Sequence, residues 1–153
     1  MKRVLLKVSH IRQSEDGQCV PICAVMALAH MGIEADYERV ARLMGTRWFG
    51  TVATKIRELE RLGVTVVHKQ GTLDEIHQHL SNNRPCIAFV KTGNLPYWKR
   101  DIDHAVLVVG LDDQIVYLND PDHERAPVEI SRGDFDLAWL ERDEYYTAFL
   151  RRE

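Results

Sequence analysis

In the stretch QSEDGQCVPICAVMALAHMG, Gln13 stands six residues before Cys19, and Cys19 opens an apolar run that continues to Met31. A thiol at the head of a helix faces unpaired N–H groups and the positive end of the macrodipole, which together favour thiolate over thiol. Thiolate is the form that attacks an amide carbonyl. A side-chain amide just upstream can donate to the oxygen that becomes negative during that attack, with the backbone N–H of Cys19 as second donor. Gly17 supplies the sharp turn into the helix. A helix that only filled a core would need neither the thiol at its first turn nor the glutamine.

An acyl-transfer thiol also needs a base and a group to orient the base. His104 and Asp120 lie in consecutive apolar segments, HAVLVVG and QIVYLND, separated by a turn at Gly110 and Asp112-Asp113. A hairpin centred on residue 112 would set His104 directly across from Asp120 on one face, with Cβ atoms ~5 Å apart. A slip of one residue would send the two side chains to opposite faces. Asp120 has a second reading, as the cap of a turn before Pro121. The intervening stretch TGNLPYWKRDID reads either as a wall of a substrate cleft, with Tyr97 and Trp98 on the substrate, or as a surface loop whose aromatics pack inward. Cys23 and Cys86 read as core thiols. Cys19 and Cys23 share a helix face, but the usual zinc signatures are missing, and the reading requires no metal and no organic cofactor.

The elements that must hold these residues are legible from periodicity and caps. Cys19 to Met31 is apolar on nearly every face, tolerates Pro21 in its first turn and stops at Gly32, as a buried helix should. Asp36 caps a short helix ending at Gly45, with Val40, Leu43 and Met44 inward. TVATKIRELERLG reads as a third helix, with Val52, Ile56 and Leu59 inward. After the strand VTVVHK, a fourth helix starts at Thr72 with Glu75 in capping-box spacing. Strands then follow at 85–91, 104–110, 114–120, 126–130 and 144–150, interrupted by a helix from about Arg132 to Leu140 that Ser131 caps. The N-terminal residues MKRVLLKVSH read as a further strand. Helices followed by consecutive short strands argue for an α+β fold, a helical layer on an antiparallel sheet, in a single domain over 1–153.

With 153 residues, 45% apolar and 28% charged, the chain is large enough for a real core. A net charge of −3 advertises no basic face for nucleic acid or an anionic membrane. The longest apolar run, AVMALA, is far short of the ~20 residues of a membrane span. Three cysteines without a secretory signal suggest free thiols and a cytoplasmic location.

Gln13 and Cys19 ahead of an apolar helix ending in Met-Gly, His104 followed by Ala-Val-Leu-Val-Val-Gly, and Asn119-Asp120-Pro121 together resemble the bacteriocin-processing cysteine peptidases. These are papain-like enzymes that remove double-glycine leaders. The run Ser131…Phe135…Trp139 is similar to the family's closing helix. The resemblance spans nearly the whole chain in order. It implies Cys19 as nucleophile, His104 as general base and acid, Asp120 as its orienter, Gln13 as oxyanion donor, and a peptide or protein segment as substrate. Where family members commonly carry glycine after the nucleophile, this chain has Val20, whose branched side chain would narrow the approach to the thiol. The transporter domains often fused to the family are absent, so the chain looks like a stand-alone relative. Two rivals stay open: a deamidase or acyl transferase using the same residues, and a non-catalytic peptide-binding module that Val20 would favour.

Overall fold

The computed structural model describes residues 1–48 and 50–152. Its elements, in order, are β1 (Val4–Leu5), α1 (Cys19–His30), α2 (Tyr37–Leu43), a 3₁₀ helix (Ala53–Leu62), β2 (Val64–Gln70), α3 (Leu73–Ser81), β3 (Cys86–Lys91), a short 3₁₀ turn (Thr92–Asn94), β4 (Asp103–Leu111), β5 (Ile115–Asn119), β6 (Val128–Ser131), α4 (Arg132–Leu140) and β7 (Tyr145–Arg151). The strands form one antiparallel sheet in the order β2-β7-β3-β4-β5-β6, and β1 pairs with β4 beside it.

Residues alternating along β3 and β4 divide between two apolar layers. Ile87, Phe89, Ala105 and Leu107 pack with α1, whose Cys23, Ala24, Met26 and Leu28 are all but sealed from solvent. Cys86, Ala88, Val106 and Val108 pack on the other face with Ile76 and Leu80 of α3 and Phe135 and Trp139 of α4. This all-round burial accounts for α1 being apolar on every face. The expected caps are present: Asp36, Thr72 and Ser131 accept from the backbone N–H of Arg39, Glu75 and Asp134. Glu75 does not reach back to close a capping box. Its carboxylate turns to Lys69 at 3.0 Å and to the hydroxyl of Tyr146.

Three further expectations change. The TVATKIRELERLG segment is a 3₁₀ helix starting at Ala53, not an α-helix, and only Ile56 and Leu59 of its apolar positions are buried; Val52 is exposed. The N-terminal strand shrinks to two residues. The hairpin register differs as well, because a β-bulge interrupts β4 between Val108 and Gly110. Among the described residues no helix is long and apolar enough to cross a membrane.

Candidate active site

The loop before α1 is closed by Gln18, whose Oε1 accepts from Ser14 N at 2.8 Å, Glu15 N at 3.1 Å and Ser14 Oγ at 3.1 Å. Its own carbonyl accepts the first helical bond, from Ile22 N. Gly17 takes φ +89°, and a Cβ there would lie 2.5 Å from the Trp48 carbonyl oxygen, so only glycine fits between the loop and that strand of backbone. The chain thus enters α1 with Cys19 in the first turn, partly exposed, above the open N–H groups of the helix end. Cys23, one turn on, is fully buried, and burial first, then the nearby Cys19 and Asp120, push its thiol far above the ordinary range. Cys86 is likewise buried, with its thiol pushed up by desolvation. Val20 sits at 6% exposure within the core and lines the same cleft as Cys19.

His104 Nε2 and Asp120 Oδ1 are 2.7 Å apart in a pair from which water is almost excluded. They are not directly opposed. Leu107 faces Asn119 and Val108 faces Leu118, so the strand register carries Asp120 toward position 106, one diagonal step from His104. Nearer the turn, Gly110 faces Tyr117 and Leu111 faces Val116. Continued without interruption, that register would have put the two side chains on opposite faces. The extra residue of the bulge restores the shared face.

Four donors converge on the Asp120 carboxylate. His104 and the Asp122 N–H (2.9 Å) reach Oδ1, while Tyr97 Oη (2.6 Å) and Trp98 Nε1 (2.9 Å) reach Oδ2. The turn-cap contact to Asp122 N–H and the contact to His104 therefore coexist, both on Oδ1 of one carboxylate. Burial alone would raise the Asp120 pKa, but these hydrogen bonds, His104 first, hold it below the usual carboxylate range. Burial also works against the charged imidazole. Hydrogen bonds to Asp120 and Cys19 overcome it and raise the His104 pKa to about 10. With Nε2 taken by Asp120, Nδ1 is the nitrogen left for Cys19.

Gln13 is anchored by its backbone N–H to the Pro121 carbonyl at 2.7 Å. Its Nε2 lies 3.5 Å from Asp122 Oδ1, and its Oε1 is buried with no hydrogen-bond partner among the described residues. Gln13, Cys19 and His104 line a single cleft of about 410 Å³, together with Gly17, Val20 and Trp98. An ion pair between Asp16 and Arg100, 3.6 Å, links two segments that border it.

Of the two readings of Tyr97 and Trp98, as cleft wall or as inward-packing aromatics, the structure shows features of both. Tyr97 spends its hydroxyl on Asp120 and does not line the cleft; Trp98 lines it while also donating to Asp120, with its ring 4.8 Å from that of His104. Both rings pack inward against the sheet layer that includes Val106. Sequence reasoning missed this cradle, because nothing in the spacing ties residues 97 and 98 to 120. It also missed Gln18, a polar residue in a loop, whose i−3 and i−4 bonds have only weak local signals.

The chain matches the Peptidase C39 like family over residues 5–147. No curated protein sequence matches it. Among solved structures it is similar to a C39-like peptidase from Bacillus anthracis, with a TM-score of 0.83 and 18% identity over 100% of both chains. It is also similar to a double glycine motif protease from an AMS/PCAT transporter in complex with its leader peptide, with a TM-score of 0.76 and 19% identity over 99% of both chains. A third is the peptidase domain of Streptococcus ComA, a bifunctional ABC transporter of a quorum-sensing pathway, with a TM-score of 0.75 and 17% identity over 94% of this chain and 98% of that one. The architecture is the papain-like α+β fold expected from the sequence.

Proposed function

The chain belongs to the Peptidase C39 like family, a family of cysteine peptidases, and on that premise we propose that it hydrolyses a peptide or protein amide bond through a thioester on Cys19. The observation that carries the reading is the buried His104–Asp120 pair whose imidazole opens onto the same cleft as Cys19. In this mechanism His104 takes the proton of the Cys19 thiol and becomes imidazolium. The sulfur attacks the carbonyl carbon, and the oxygen that gains charge is met by Gln13 Nε2 and the Cys19 backbone N–H. As the C–N bond breaks, His104 gives its Nδ1 proton to the leaving amine. A water molecule then loses a proton to His104 and attacks the thioester carbonyl. The C–S bond breaks, and the acid leaves. Asp120 keeps Nε2 occupied throughout, so that Nδ1 handles every proton.

The peptide substrate is supported by the relative solved with a leader peptide, and a double-glycine motif is the first sequence to try. The single domain works in the cytoplasm on this reading, which the three free cysteines support. The experiment compares wild type and Cys19→Ala on a peptide library by mass spectrometry. Backbone scission that vanishes in Cys19→Ala is the expected outcome. A shift of about +1 Da or a new linkage in place of scission would identify deamidation or acyl transfer, and scission that survives the substitution would refute the nucleophile.

A further inference from the structure

Beside the cleft lies a second cavity of about 500 Å³, bordered by four of the same residues, Ala53, Phe89, Asp103 and Arg142. Aromatic rings line it: His68 of β2 stacks on Tyr145 of β7 at 5.3 Å and meets Phe89 of β3 edge-on at 5.4 Å. His68 is only 7% exposed, and its Nδ1 pairs with Thr147 Oγ1 across the β2–β7 ladder at 2.8 Å. Its Nε2 has no hydrogen-bond partner among the described residues and is not sealed from solvent, so the one free polar atom of a nine-tenths-buried ring opens onto this cavity.

Charges complete the picture. Lys91 is matched by Asp101 and Asp103, and Arg142 by Asp103 and the face of Phe89. The two remaining carboxylates on the cavity wall, Glu141 and Asp143, pair with no cation among the described residues. Burial, then the Arg57 charge, lowers the His68 pKa, so its ring stays neutral and does not repel a cation.

We infer that this cavity is a substrate subsite for a basic side chain, with the aliphatic stem against the aromatic rings and the cationic end between His68 Nε2, Glu141 and Asp143. Aromatic faces and unpaired carboxylates both favour a cation there, whereas an acidic side chain would meet Glu141 and Asp143. The continuity of this cavity with the Cys19 cleft places the basic residue close to the bond that is cut. Its role in catalysis rests on the peptidase reading, but its binding does not.

The test uses glycine-rich peptides in which one position carries lysine, norleucine or glutamate, moved along the sequence. Binding to Cys19→Ala is measured by fluorescence anisotropy and by the NMR signals of His68 and Tyr145. Lysine peptides should bind about tenfold more tightly than norleucine peptides and shift both signals, and the margin should collapse in Glu141→Gln/Asp143→Asn. Equal binding, a margin unchanged in the double variant, or no binding overturns the subsite, whatever the wild type does. Selective binding with no scission by the wild type would instead remove the peptidase reading and keep the subsite.

Discussion

Asp120 holds a charge in a place water does not reach, and it does so because Tyr97, Trp98, His104 and its own turn each give it a hydrogen. A buried carboxylate short of one donor is costly, since hydrogen bonds to charged groups contribute about 1.5–3 kcal/mol. Tyr97→Phe and Trp98→Phe should therefore each destabilise the fold by about that amount at pH 7. The Asp120 pKa is depressed, so its contribution is present above the ordinary carboxylate value and lost as pH falls. The cost of either substitution, read from urea unfolding, should shrink at pH 3; a cost equal at both pH values would mean packing alone. These two residues were the least legible part of the site, because a partner supplied by a distant loop leaves no trace in local spacing. The convergence of Gln13, Cys19 and His104 on one cleft, with Asp120 on His104, was legible because the chemistry expected of them constrains residue type as well as position.

Among the elements, those with a cap and a clean apolar period were recognisable from the sequence: α1, α2, α3, α4 and all the later strands. Failures came where tertiary contacts decide. Nothing in TVATKIRELERLG distinguishes 3.6 from 3.0 residues per turn, and Val52, apolar but ahead of the first turn, had no core to enter. The hairpin register depended on a bulge that turn composition does not announce. Gly110 marks it in retrospect: a Cβ there would lie 2.7 Å from Leu5 Cδ1 and 2.9 Å from the Val4 carbonyl oxygen, where β1 crosses the bulged strand. Gly110→Ala should cost about 1–3 kcal/mol, measured by thermal unfolding. It should also lower the rate of substrate cleavage, since the bulge sets the face on which Asp120 meets His104. Full stability in this variant would show that β1 yields freely and that the close approach is not a constraint.

For the whole molecule, the His104–Asp120 pair couples stability to pH on the alkaline side. The His104 pKa rises from an ordinary 6.5 to about 10 on folding, so its contribution is complete below about pH 6.5 and is lost as pH climbs through about 10. Urea unfolding of the wild type should show stability falling across that window relative to His104→Gln, and parallel profiles would exclude the coupling. The sheet order has a different consequence. β7, the last strand in the chain, lies between β2 and β3, and Gln13 is tied to Pro121 from the opposite end of the sequence. During synthesis Cys19 emerges early, while His104, Asp120 and the strand that completes the sheet are still to come. A nascent chain at that stage therefore carries Cys19 without its cleft, which can form only after the later strands have been made.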